Sequence, residues 1–207
     1  GFETMVGLSD DSDMAVFEGD EYLSSAFDKR PKFVHYKPDI ALISGLAWDH
    51  INVFPEYEKY FDQFKLLTQN MAKNAIFIYN QNDPECVRVS EEAPPGIKRI
   101  SYTVPDYKTK EGHTILKIKQ KEYKTSLFGK HNMENISAAL NICRFLGIRE
   151  DNFFEFLLDF KGAARRQELI FENKDSKVFF DFAHAPSKVK ATVEAFREFF
   201  PDRKLIT

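Results

Sequence analysis

One apolar run constrains the fold of this chain more than any other feature: Ile40 to Leu46, in "IALISGLAWDHINVFPEY". Almost nothing polar interrupts it, which is the pattern of a strand buried on both faces of a parallel sheet. It ends by delivering Trp48, Asp49 and His50 in succession. The carboxyl ends of such strands are where α/β proteins collect ligands, so that exit is an expected site.

The segments around the run extend the same architecture. Upstream, "MAVFE" follows an acidic turn and reads as a strand. Downstream, Pro55 opens a helical pattern with Tyr57, Tyr60, Phe61, Phe64 and Leu67 at spacings of three and four. "NAIFIYN" is the next parallel strand, closed by the turn cluster "NQNDPE". From Ile97 to Phe128 the pattern changes to alternation, clearest in "TILKIKQKEYKTSLF", as in a small antiparallel meander. "GKHNMENISAALNICRFLGI" reads as a helix with Ile136, Ala139, Leu140, Cys143 and Leu146 on one face and Gly147 at its end, and "EDNFFEFLLDF" as a second helix. Past the polar turn Asn173 to Lys177 come a strand "VFFDFAH", a helix from Pro186 to Phe200 and a strand "KLIT", one βαβ unit. The class is α/β, with a mostly parallel sheet, helices and a small antiparallel sheet. The expected domains are 1–172 and the beginning of another at 173–207.

Composition excludes several function classes. A net charge of -3 with interleaved signs gives no basic stripe for phosphate backbones, so nucleic acid is not an expected partner. No apolar segment approaches the roughly 20 residues of a membrane span, and no charged-then-apolar leader opens the sequence. Cys86 and Cys143 are far apart and lack zinc-type spacing, which fits two free thiols in a reducing compartment. A soluble, cytoplasmic protein is expected.

The polar clusters "EGDEY", "WDH", "FGKHNMEN", "RRQE" and "DFAHAPS" stand at strand ends or helix starts. Glu18 could be a solvated loop carboxylate and His50 a core histidine, or the two could converge on a divalent cation, with Mg²⁺ preferring oxygen and retaining waters. Lys65, among Phe64, Leu66 and Leu67, could snorkel from an apolar face. Alternatively, burial could lower its pKa so that the neutral amine forms a carbamate that bridges metal ions. Asn132 is a natural helix cap, whereas Asn132 and Asn135 together could read a purine edge. Arg165 and Arg166 are either surface charge or a planar clamp for a transferring phosphate.

Taken in order, "EGDEYLSSAFDKRPKFVHYKPDIALISGLAWDHINVFPEYEKYFDQF", "FGKHNMENISAAL", "FKGAARRQE" and "DFAHAPS" resemble the Mur ligase family of ATP-dependent amide-forming enzymes. The resemblance covers nearly all of the chain and is weakest from Ile97 to Tyr123. "DKRPKFVHYKP" is most similar to the muropeptide-recycling branch, which joins UDP-N-acetylmuramate to a tripeptide. The branch that adds L-alanine comes next.

The resemblance implies a central ATPase-type domain followed by the start of a Rossmann-like C-terminal domain, with ATP and Mg²⁺ as cofactors. It implies UDP-N-acetylmuramate and an amino-acid or peptide acceptor as substrates. Glu18 and His50 match metal ligands of the family. His131, Asn132 and Asn135 match the segment that contacts adenine, and Arg166 the arginine that approaches the γ-phosphate. Asp181 and His184 match a motif that closes over nucleotide and amino substrate. Lys65 falls where several members carry a carbamylated lysine, a position at which the recycling and alanine-adding branches often have another residue.

The phosphate-cradling loop G-x-x-x-x-G-K-[ST] is absent from these residues, and "FGKHN" lacks both the glycine loop and the hydroxyl. The 207 residues alone are therefore expected to form an inactive fragment. Folate polyglutamylation shares the architecture, and a non-catalytic nucleotide-binding module of the same fold is the reading from another class.

Overall fold

Short apolar strands pair in parallel only when a crossover segment carries the chain back along the sheet, and the first half of this sequence supplies helices for that purpose. The computed structural model describes residues 7, 9–110 and 112–207 and divides into two compact units at Tyr102 and Thr103.

In the first unit, β1 (Ile40–Ile43) is followed by α1 (Tyr57–Gln69), β2 (Ile76–Asn80), α2 (Pro84–Glu92) and β3 (Lys98–Tyr102). The three strands form a parallel sheet in the order β1-β2-β3, with Ile40 opposite Ile76 and Ile76 opposite Lys98. α1 buries Tyr60, Phe61, Phe64 and Leu67, the aromatic stripe expected from their spacing, into a core that includes Phe33, Ile43 and Phe77. Phe61 and Phe77 are fully buried, and the Arg88 guanidinium lies 3.8 Å from the Phe61 ring centroid.

Several expectations for this unit are corrected. β1 alternates between half-buried and buried positions instead of burying both faces, and it stops at Ile43, so Asp49 and His50 lie in a loop beyond it. "MAVFE" forms no strand: Val16 and Phe17 are exposed, and no other described strand pairs with them. A strand exists only through its ladder, so apolar alternation without a neighbour leaves extended chain. Lys98–Tyr102 joins the parallel sheet and not the meander. The turn "NQNDPE" leads into α2, which the sequence pattern did not reveal.

Asp83 caps α2, its Oδ1 accepting from the N–H groups of Glu85 at 2.9 Å and Cys86 at 3.1 Å. Its Oδ2 accepts from Leu46 N at 2.9 Å. One carboxylate thus anchors both a helix start and the loop that runs from β1 toward Asp49 and His50.

The second unit begins with the expected meander: β4 (Asp106–Lys110), β5 (His113–Ile118) and β6 (Lys121–Thr125), antiparallel in that order. α3 (Lys130–Phe145) and α4 (Glu150–Asp159) pack beside it, with Tyr123 stacked on Phe154 at 3.6 Å and Leu116 and Met133 fully buried. Leu146, expected on the buried face of α3, lies past its end and is exposed, and Gly147 follows at φ 76°.

β7 (Glu168–Glu172) and β8 (Lys177–Phe180) form an antiparallel pair, and α5 (Pro186–Phe199) follows. The strand expected to run to His184 therefore ends at Phe180, and "KLIT" is not a strand, so the βαβ unit expected after Lys177 does not form among the described residues. Phe128, just before α3, packs against Phe179, Phe196, Phe199 and Phe200, the closest being Phe199 at 4.3 Å between centroids.

Candidate functional site

Each unit carries one cluster of the expected site residues. In the first, Glu18, Gly19, Asp20, Glu21, Tyr22, Lys32, Tyr36 and His50 line an open cavity of about 460 Å³. His50 reaches it from a loop in which its own backbone is strained, at φ 54°. Its carbonyl accepts from Val53 N at 2.8 Å and Phe54 N at 2.9 Å, and its N–H donates to Asp49 Oδ1 at 2.8 Å. These bonds hold a left-handed conformation that costs a non-glycine residue about 1–3 kcal/mol, a pattern found at functional sites.

The imidazole Nε2 lies 3.3 Å from Glu21 Oε1, and the ring stands edge-on to Tyr22. Glu21 also accepts from the Tyr60 hydroxyl at 3.2 Å. Burial, reinforced by the Glu21 charge, pushes the Tyr60 phenol above its ordinary range and keeps it a donor. Burial alone would raise Asp20, yet hydrogen bonds from Lys32 at 2.7 Å and Tyr22 N at 2.8 Å outweigh it and hold Asp20 below its usual value.

The donors around this cavity fit Mg²⁺ in one respect. Carboxylates and one imidazole on an open wall suit an ion that keeps several waters and takes only one or two protein ligands. Among the described residues, no group of three or more His, Cys, Asp or Glu side chains is placed to hold a metal ion. Glu18 is exposed on the same cavity as His50, whereas Glu21, which the sequence reading passed over, makes the direct contact.

Lys65 behaves oppositely to the carbamate reading. Its ammonium pairs with Glu92 at 2.9 Å and Asp62 at 3.5 Å, and the Glu92 hydrogen bond raises its pKa. A lysine held protonated by two carboxylates is a poor nucleophile for carbon dioxide.

In the second unit, three of the quoted motifs meet. Asn132 is not the cap of α3: Gly129 occupies that place, at φ 86°, and Asn132 sits in the first turn. Its Nδ2 donates to Phe128 O at 2.9 Å and to Gln167 Oε1 at 2.8 Å. The backbone N–H of Gln167 donates to Asp181 Oδ2 at 3.0 Å, and Ala183 N donates to Asp181 Oδ1 at 2.7 Å. "HN", "RRQ" and "DFA" are therefore tied by one hydrogen-bonded chain through Gln167. Asp181 serves this chain with both oxygens.

Arg166 is exposed, with its guanidinium 5.7 Å from the Phe182 ring centroid and no acidic partner among the described residues. His184 stacks edge-on against Phe182, its Nδ1 within 2.9 Å of Phe182 O. Asn135 is exposed one turn along α3 from Asn132.

Burial lowers the pKa of His131, with Arg166 acting in the same direction and Asp181 and Glu134 opposing. At neutral pH its ring is therefore a neutral donor and acceptor. The folded chain resists a proton that the unfolded chain accepts near 6.5, so stability should fall as pH drops through that value. His131→Asn is expected to flatten this slope, as read from urea midpoints between pH 7.5 and 5.5. An unchanged slope would count against the burial of this ring.

Residues 3–143 match the family model described as the Mur ligase middle domain. The chain belongs to the Mur ligase family. Among curated Mur ligase relatives, the UDP-N-acetylmuramate--L-alanyl-gamma-D-glutamyl-meso-2,6-diaminoheptandioate ligase of Escherichia coli is 32% identical over 209 residues. The match covers 95% of this chain and 44% of that protein. The UDP-N-acetylmuramate--L-alanine ligase of Desulfitobacterium hafniense is 27% identical over 198 residues, covering 91% and 44%. In structure, the UDP-N-acetylmuramate:L-alanyl-gamma-D-glutamyl-meso-diaminopimelate ligase of Neisseria meningitides aligns with a TM-score of 0.62 at 25% identity, over 72% of this chain and 48% of that one. The chain thus spans a little under half the length of these relatives. The Mur ligase fold, a parallel sheet with helices accompanied by antiparallel sheets, agrees with the class expected from the sequence. No helix among the described residues is long and apolar enough to cross a membrane.

Proposed function

We propose that this chain is the nucleotide-handling part of an ATP-dependent ligase that joins UDP-N-acetylmuramate to the tripeptide L-alanyl-γ-D-glutamyl-meso-diaminopimelate. The observation that carries the reading is the convergence of the "HN", "RRQ" and "DFA" motifs on one hydrogen-bonded chain in a Mur ligase fold. The tripeptide is preferred to L-alanine because of the "DKRPKFVHYKP" resemblance, and the relative named for that peptide supports it at 32% identity. On this reading, the domains remain those proposed from the sequence, 1–172 and 173–207.

The chemistry assigns distinct work to the two clusters. The muramoyl carboxylate attacks the γ-phosphorus of ATP to give an acyl phosphate and ADP. The acceptor amine then attacks the acyl carbon, loses a proton and expels phosphate. Arg166, without a carboxylate partner among the described residues and lying by Phe182, offers its planar fork to the transferring phosphoryl group. His131, Asn132 and Asn135 hold the base, the first as a neutral ring. Asp181 orients the "RRQ" loop that carries Arg166, and His184 stands beside that loop. Glu18 and His50 would hold Mg²⁺ as its one or two protein ligands, and the ion would supply charge neutralisation to phosphate oxygens. Lys65 is left as a structural ion pair.

The test is ADP release by the protein at its natural full length, given ATP, Mg²⁺ and UDP-N-acetylmuramate with either acceptor. Turnover with the tripeptide and not with L-alanine is expected. Turnover with L-alanine alone would move the protein to the biosynthetic branch. Failure with both acceptors would favour a nucleotide-binding module without ligase activity.

A further inference from the structure

Gln167 is only 9% exposed, its backbone is at φ 47°, and its Nε2 is buried with no hydrogen-bond partner among the described residues. An unpaired donor in that position needs a reason, because an apolar side chain of similar length would fill the space without one.

The reason lies in the direction of the bonds. Phe128 O can only accept, so the Asn132 atom facing it must be Nδ2. The second N–H of Nδ2 then requires another acceptor, and only the oxygen of the Gln167 amide can serve. That fixes Oε1 toward Asn132 at 2.8 Å and leaves Nε2 unpaired. Both N–H groups of the Asn132 amide are thereby consumed, and what it retains for a ligand is Oδ1, an acceptor alone. Gln167 is itself held from behind, through its backbone bond to Asp181.

We propose that Gln167 is a positioning residue that sets base specificity: by fixing the Asn132 amide it presents an acceptor that admits a 6-amino purine nucleotide and rejects a 6-oxo one. An acceptor pairs with the exocyclic amino group of adenine, and the carbonyl of hypoxanthine or guanine at the same place repels it. Without Gln167, the Phe128 carbonyl alone restrains the Asn132 amide, which then rotates at the cost of one hydrogen bond instead of two, offers its N–H groups and weakens the discrimination. The inference rests on the nucleotide-binding reading of this unit.

The probes are ADP and inosine diphosphate, which differ at the 6-position, titrated calorimetrically against the natural full-length protein. The wild type is expected to favour ADP by about tenfold or more. Gln167→Met should bring the ratio to within about threefold of unity with little change in the thermal midpoint, since it removes the unpaired Nε2 while depriving one Asn132 N–H of its acceptor. Gln167→Glu, which keeps an acceptor for Asn132, should retain the wild-type ratio and separates positioning from mere loss of fold. Because Gln167 acts through Asn132, Asn132→Ala and the double variant with Gln167→Met should show the same ratio. A wild-type ratio in Gln167→Met, or losses that multiply in the double variant, would overturn the proposal. Wild-type protein that binds neither nucleotide would instead remove the nucleotide-binding reading, and this inference with it.

Discussion

Arg166→Ala, introduced into the natural full-length protein, is expected to lower kcat for ADP release about a thousandfold while changing KM for UDP-N-acetylmuramate by less than about threefold. The side chain makes no ion pair among the described residues, and its recorded contact is with the Phe182 ring. A guanidinium so placed is available to charge that develops on a transferring phosphoryl group. An interaction made mainly in the transition state is lost from kcat and not from substrate binding. Arg166→Lys keeps the charge without the two-pronged geometry and should recover only part of the loss.

Arg165 supplies the internal control. Its contribution runs through the backbone, where its N–H donates to Glu168 Oε2 at 2.7 Å and its carbonyl accepts from Phe182 N at 2.9 Å. Arg165→Ala leaves both groups in place and should cost less than about tenfold. If the two alanine variants lost activity equally, the assignment of the phosphate-facing role to Arg166 would fail.

What the sequence revealed and what it concealed follow from range. The stripe on α1 and the alternation of β5 and β6 are local periodicities, and the structure realises both. Lys98–Tyr102 shows how local reading fails: its alternation looks antiparallel, while its pairing is decided by β2, some twenty residues earlier, and by the α2 crossover that lies between. "MAVFE" shows the converse, with a suitable pattern and no described ladder partner. In the candidate site, Glu18, His50, Asn132, Arg166 and Asp181 stand out in the sequence as residue types beside expected strand and helix ends, although no described strand precedes Glu18 and His50 lies in a loop beyond β1. Glu21 and Gln167 were not, although both lie inside motifs that were singled out. Their significance comes from a 3.3 Å approach to His50 and from burial against Asn132, and neither has a one-dimensional signature. Lys65 looked functional because of its apolar sequence neighbours. Its ion partners include Glu92, on a helix the pattern did not disclose.

Gly129→Ala is expected to destabilise the second unit by about 3 kcal/mol or more, shown by a lowered urea midpoint. Two independent effects combine at this position. The backbone stands at φ 86° and ψ 144°, a region essentially restricted to glycine, for which a side chain costs about 1–3 kcal/mol. An added Cβ would also fall well inside contact distance of Ala195 Cβ on α5 and within 3.1 Å of His131 Cε1. Neither neighbour yields readily, since Ala195 is buried beside Phe128 and Phe199 and has no rotamer to change. Ala195→Gly relieves only the Ala195 contact, so the double variant, compared with Ala195→Gly alone, should recover part of the midpoint and leave the His131 contact and the φ penalty. Full recovery would show that packing alone demands the glycine. The same substitution bears on function, because a shift of the first turn of α3 moves His131 and Asn132 together. The singly substituted protein should therefore bind ADP more weakly even at urea concentrations where it remains folded.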